Sequence, residues 1–312
     1  MQEFFRSRKG LILCDLFACF LWGSAASFIQ AGYEAFQIEG TGSVLIFAGL
    51  RFLLAGALIL VWSGFQTGGF PAFTRKELPV ILLISLGQTI GQYYCYYIGL
   101  LHTSANIATL ISGLVSFVAL ALSAWVFHLE KATSRKLTAC LLGFAGVAIA
   151  NFQAGGFVFT WNGAGLELLA QFFAAFASVM MNKDVKPAKA ISTCGWQFLF
   201  GGAVLSLIGV IMGGHMRFSW TGVLILLWLA LVSAVAYALY SQLLTCHPVS
   251  TVSIFSCTIP LFGSMFALIM RHETEVLSWT SLIGLVLVIA GVVMINRPDK
   301  GPKSVKKKLA RN

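Results

Sequence analysis

Residues 11–32 read LILCDLFACFLWGSAASFIQAG, and the only formal charge among them is Asp15. The hydrocarbon core of a bilayer is spanned by about 20 predominantly apolar residues in a helix. The basic stretch before this run, MQEFFRSRKG, resembles the opening of a secretory signal. The apolar run exceeds a signal's hydrophobic region, and further runs of the same kind follow, so it reads as an uncleaved first spanning helix. The rest of the chain agrees: of 312 residues 58% are hydrophobic and only 10% charged. A soluble domain carries about 25% charged residues and could not leave so much apolar surface in water. The bilayer is therefore the solvent for this fold, which excludes a soluble enzyme or a nucleic-acid-binding domain.

Ten such runs can be marked, at roughly 11–32, 43–64, 78–99, 103–127, 135–152, 162–182, 190–213, 220–244, 248–271 and 277–296. None shows the alternating pattern of a membrane barrel, so backbone groups must be satisfied within helices. Lys and Arg set the orientation, because cytoplasmic loops retain them. With the N-terminus inside, the inner segments hold Arg6, Arg8 and Lys9, then Arg75 and Lys76, then Lys131, Arg135 and Lys136, then Lys183, Lys186 and Lys189, and the seven basic residues from Arg297 onward. The outer segments hold only Arg217 and Arg271, and Arg51 lies within a span. Both termini are expected in the cytoplasm of a cell that carries the protein in its inner or plasma membrane. The tail from 298 to 312 is read as a topology anchor or as a contact for anionic lipid.

The chain also repeats itself. An ungapped shift of 145 lays 83–151 on 228–296, bringing His102 onto His247, Phe117 onto Phe262, Glu130 onto Glu275, Ala145–Val147 onto Ala290–Val292 and Asn151 onto Asn296. A shift of 146 lays Arg51–Gly56 on Gln197–Gly202. Two units follow, 11–152 and 153–297, flanked by the short N-terminal segment 1–10 and the tail. Because each holds five spans, an odd number, the second enters the membrane from the opposite side. The expected fold is an all-α integral membrane protein with ten transmembrane helices in two inverted five-helix repeats. Inverted repeats are a signature of transporters, whose solute site lies near the midplane between the halves.

Several stretches resemble the EamA branch of the drug/metabolite transporter superfamily: FLWGSAASF (20–28), LRFLLAGALIL (50–60), the segment 104–151, and its second copy 249–296. The likeness covers residues 10 to 297. It implies ten helices, both termini inside, and export or import of small metabolites by alternating access. Two features depart from the family pattern. Val115 stands where span four of such proteins usually has proline, whereas its counterpart Pro260 is present; and Arg51 is matched in the second half by the neutral Gln197.

Candidate site residues are the polar groups placed where lipid offers no water. Gln88, Gln92 and Tyr96 recur every four residues and so share a helix face, either lining a cavity or bonding neighbouring helices. Gly87 and Gly91 form a small-xxx-small strip on which another helix can close. Tyr93, Tyr94 and Tyr97, nearer the outer end, fit an interfacial belt equally well. Trp22 stands mid-span and needs a partner for its N–H, as a cavity wall or as plain packing; Trp125 reads as belt. Asn106, Ser112, Gln171, Tyr237, Ser253 and Ser256 complete the cavity set. Pro260 either bends its helix or frees a carbonyl toward solute. Intramembrane charges are costly: Asp15 could snorkel inward, Arg51 and Glu167 could pair as a structural clasp, an outer gate or a site for a zwitterion, and Asp15 and Glu167 could carry protons that couple transport.

No phosphate-binding loop, metal-ligand motif or nucleophile elbow occurs. The seven cysteines form no ligand-spaced pair, and the five histidines lie near span ends. No enzyme activity, cofactor, metal or nucleic acid is implied. The partners expected are a small-molecule solute and the lipid bilayer, and a homodimer is compatible with the chain. The function read from the sequence is a facilitative or secondary-active transporter, with export as the expected direction, of small metabolites such as amino acids or related amines, by alternating access at a midplane cavity. The alternatives are an exporter of hydrophobic cations and a non-transporting channel or scaffold.

Overall fold

A computed structural model describes residues 2–103, 105–150, 159–271 and 279–297. All regular structure among them is helical. After a short α1 (Gln2–Arg6), Ser7 adopts extended backbone and its Oγ accepts from the Gly10 N–H at 3.0 Å. This is the side-chain capping that opens a helix, and α2 (Arg8–Phe36) begins there. It ends at Gln37, in the left-handed region at φ 51°. α3 (Gly40–Thr67) stops at Gly68, φ 69°, where glycine carries no steric penalty. Then come α4 (Leu78–His102), α5 (Ala105–Ser112), α6 (Val115–Val126), α7 (Ser134–Ala150), α8 (Trp161–Asp184), α9 (Ala190–Ile211) and α10 (Trp220–Leu244). α11 comprises Val249–Ser253, a tighter 3-10 stretch Ile254–Thr258 and Ile259–Arg271, and α12 is Trp279–Ile295. Among the described residues seven helices are long and apolar enough to cross a membrane, and α6 and α12 are shorter apolar helices. The tail, Asn151 and Glu275 lie outside the described residues.

The broadest interface joins α3 to α9, and glycine builds it. Gly42, Gly49 and Gly56 are seven residues apart, as are Gly195, Gly202 and Gly209, so each set forms one seam along its helix. The helices run antiparallel. A Cβ on Gly42 would lie 2.9 Å from the Gly209 carbonyl oxygen, one on Gly49 2.7 Å from that of Gly202, and one on Gly56 2.7 Å from that of Gly195. Only hydrogens fit between these backbones. A shorter seam joins α7 to α12, where a Cβ on Gly146 would lie 2.6 Å from the Gly284 oxygen. α2 packs on α10 and α11, and α8 packs on α4 and α6. The Gly87–Gly91 strip meets α8: Gly87 faces Ala177 and Gly91 the Phe173 ring.

Large apolar side chains such as Leu13, Phe17, Val61, Leu207 and Val286 point outward, as they would toward acyl chains. Trp161, Trp220 and Trp279 open their helices with exposed indoles, in the manner of an interfacial belt. Trp125 is exposed as well.

Two helices depart from the expected single runs. The run expected at 103–127 is divided at Gly113 and Leu114, although no proline is present there. In α11 the carbonyl that Pro260 cannot bond, that of Ser256, accepts instead from the Ile259 N–H. The 3-10 turn therefore satisfies the oxygen expected to be free.

Candidate functional site

Aromatic side chains from five helices meet in the interior. Trp22 of α2 lies edge-on to Tyr237 and Tyr240 of α10, with ring centroids 4.8 and 5.3 Å apart. The Tyr237 hydroxyl is 2.8 Å from that of Tyr93 on α4. Tyr93 packs on Phe52 of α3 at 4.5 Å, Phe52 stacks on Phe198 of α9 at 4.9 Å, and Phe198 returns to Tyr237 at 4.9 Å. Tyr96 and Tyr97 extend the cluster along α4.

Several polar atoms in and beside this cluster are buried without a hydrogen-bond partner: the Trp22 Nε1, the Tyr33 and Tyr97 hydroxyls and the Gln92 Oε1. The Tyr33 and Tyr97 hydroxyls face each other. Native interiors satisfy nearly all such groups. An apolar cluster that carries a few convergent polar groups supplies the kinds of group that line small-molecule sites.

Arg51 supplies the cation. It is 2% exposed, its guanidinium neighbours Tyr33, Tyr96, Tyr97 and Tyr237, and its Nε donates to the Ser233 Oγ at 2.7 Å. The guanidinium carbon also lies 5.2 Å from the centroid of the Phe52 ring. The expected pair with Glu167 is not made. Glu167 faces Tyr96, Cys95 and Gly99 on α4, and both its oxygens lack a partner. Tyr96 is near both residues. The second-half counterpart of Arg51 makes a related contact: the Gln197 Oε1 accepts from the Thr89 Oγ1 at 2.7 Å.

The remaining candidates divide. Gln88 (5% exposed) and Gln171 (6%) are buried, whereas Ser112 and Ser253 bond carbonyls of their own helices, those of Thr109 and Val249. Ser256 is half-buried on the 3-10 turn. The Asn106 side chain lies outside the described residues. Asp15 does not snorkel: it is fully buried, and neither oxygen has a partner. Tyr93 and Tyr97 face inward rather than forming a belt. A π turn at Leu86–Gly91 explains part of this. It carries an extra residue, so the periodicity before Gln88 does not continue past Gln92. Thr89 rather than Gln88 thereby meets Gln197. Tyr33, Ser233 and Thr89 have no local pattern that marks them in the sequence; the partners of Ser233 and Thr89, Arg51 and Gln197, lie more than a hundred residues away.

The sequence profile of the EamA-like transporter family matches residues 8–152 and again 161–297. The chain belongs to that family. It is 25% identical to the uncharacterised transporter YvbV of Bacillus subtilis over 97% of this chain and 96% of that one. It is 26% identical to a WAT1-related chloroplastic protein of Arabidopsis thaliana over 90% of this chain and 68% of that one. A solved crystal structure shares the fold at a TM-score of 0.77, with 16% identity across 97% of this chain and 99% of the other. EamA-like proteins of the drug/metabolite transporter superfamily are membrane transporters, and this chain is a multi-pass member of that group.

Proposed function

We propose that the aromatic cluster is the solute site of a small-metabolite transporter that favours zwitterions such as amino acids. The observation that carries this is the juxtaposition of Arg51 with unsatisfied buried polar atoms and aromatic faces. A solute carboxylate would take the guanidinium's terminal amino groups. Its ammonium would rest on Trp22 or Tyr237 by cation–π attraction. The same walls would suit related amines less well, for want of the anion.

Alternating access between two inverted halves is the mechanism this reading adopts, with both termini cytoplasmic and export as the direction. Three features support it. The family profile matches twice. α2 packs on α10 and α11 as α8 packs on α4 and α6. And Arg51–Ser233 has its counterpart in Gln197–Thr89. Substrate sites at such repeat interfaces are a recurrent transporter design.

The test is counterflow in proteoliposomes loaded with unlabelled amino acids, then with amines. Saturable exchange of zwitterions is expected, lost in Trp22→Ala and weakened in Arg51→Gln. Exchange that prefers amines, and survives Arg51→Gln intact, would favour an exporter of organic cations. Absence of saturable exchange with either set sinks the transport reading.

A further inference from the structure

Two carboxylates remain unused by the solute site. Asp15 and Glu167 are both fully buried, and all four of their oxygens lack a hydrogen-bond partner. They occupy matching places. A shift of 152 lays Asp15 on Glu167, Leu16 on Leu168, Ala18 on Ala170, Phe20 on Phe172 and Ala25 on Ala177. Their surroundings match as well. Asp15 faces Tyr240 of α10, and Glu167 faces Tyr96 of α4. Tyr96 and Tyr240 differ by 144 positions, as do the hydrogen-bonded Tyr93 and Tyr237. That is one fewer than the shift of 145 that relates His102 to His247.

The two acids stand at opposite ends of the bundle. Asp15 is near the start of α2, beside the last turns of α10. Glu167 is near the start of α8, beside the last turns of α4, where a Cβ on Gly99 would lie 3.0 Å from its Oε1. The titratable groups facing Asp15 are Cys14 and Cys19 on its own helix and Tyr240 on α10; from α11, Cys257 and the Thr258 hydroxyl reach only as far as Cys19. Those facing Glu167 are Cys95 and Tyr96 on α4. Among the described residues no Lys, Arg or His contacts either carboxylate.

An ionised carboxylate costs far more to bury unpaired than the neutral acid does. A metal cation would need several oxygen ligands, and each site offers one residue. A proton needs only the carboxylate. We propose that Asp15 and Glu167 are the proton carriers of the transport cycle, one at each end of the bundle. Each carboxylate takes a proton from water when its end opens, becoming a carboxylic acid as that end closes. It releases the proton to the water of the opposite side when the other end opens, so one proton crosses the membrane and no other reactant is consumed. Intramembrane acids commonly serve as such relays.

This coupling role rests on the transport reading, so the experiment has two arms. In the first, the full chain in lipid vesicles is titrated by infrared difference spectroscopy, without solute. The expected result is a pair of carboxylic C=O bands that vanish at alkaline pH, one missing in Asp15→Asn and the other in Glu167→Gln, with each restored and shifted in Asp15→Glu and Glu167→Asp. Bands that survive both substitutions, or that never form, overturn the proposal. In the second arm, amino-acid accumulation is driven by a pH gradient or by a sodium gradient. Accumulation is expected under the pH gradient alone, and its loss in either neutral variant while exchange counterflow persists. Counterflow in the wild type with indifference to the pH gradient overturns the coupling alone. No counterflow at all, with the infrared bands intact, would instead overturn the transport reading, and the coupling role with it.

Discussion

Tyr237 shows how much one side chain can hold. Its hydroxyl bonds Tyr93 across two helices, and its ring packs on Trp22 and Phe198. Tyr237→Phe keeps the packing and strands the Tyr93 hydroxyl, so stability should fall by about 1 kcal/mol. Thermal unfolding in detergent, followed by tryptophan fluorescence, reads this as a modest drop in midpoint. Glu130 gives a pH-dependent counterpart outside the membrane. Its carboxyl is buried, which by itself disfavours the charge, yet it lies below the usual carboxylate range because Lys136 and Ser250 bond the ionised form. A group lowered in this way adds stability that is fully present above its unfolded value of about 4.3. The stability is lost as pH falls through the lower folded value. Glu130→Gln should therefore lower the midpoint at neutral pH and flatten its decline in acid. Equal acid sensitivity in wild type and variant would contradict this.

Among the elements, the α3–α9 seam makes the sharpest demand on sequence. A Cβ on Gly49 would lie 2.2 Å from the Ser206 Oγ and 2.6 Å from the Ser206 backbone nitrogen, whereas one on Gly69 meets nothing within 4 Å. Gly49→Val should cost about 3 kcal/mol, the upper end for overpacking. Gly69→Ala should stay within about 0.5 kcal/mol of wild type. Comparing the yields of monodisperse protein from the two variants is the check. The seam also shows the limit of reading elements from sequence. A search for small residues four apart finds Gly87 and Gly91, which do receive α8. Glycines seven apart look incidental until a second helix supplies the opposing set. The π turn of α4 was equally hidden, because no residue type marks it, and after it Tyr93 and Tyr97, which fit a belt equally well by sequence, face the interior. By contrast, apolar run length located the helices well, since burial in lipid imposes its length directly on the chain.

At the scale of the whole molecule, the duplication invites a swap. Arg51 and Gln197 hold corresponding places, and each meets a hydroxyl of the other half, Ser233 or Thr89. In Arg51→Gln with Gln197→Arg, the amide can donate to the Ser233 Oγ, which itself donates to the Leu229 carbonyl, and the guanidinium can donate to Thr89. The double variant should fold with a midpoint near that of wild type, while Gln197→Arg alone, with two buried cations, should be less stable than either. Circular dichroism melts of the three proteins decide it. A double variant no better than the single would mean that the two positions are not interchangeable. The sequence disclosed the duplication through His102, Phe117 and the Ala-Gly-Val triplets. It did not disclose which cross-half contacts the duplication makes, because those depend on the depth at which helices cross.

The glycine seams also restrict how such a molecule can rearrange. Along α3 and α9, and again between Gly146 and Gly284, backbones sit too close for one helix to slide past the other without driving side chains into carbonyls. These pairs act as fixed hinge pins. Movement is left to the helices that are already interrupted, at Gly113 and at Ile254–Thr258. They can bend at breaks the fold has already made while the pinned spine keeps its register.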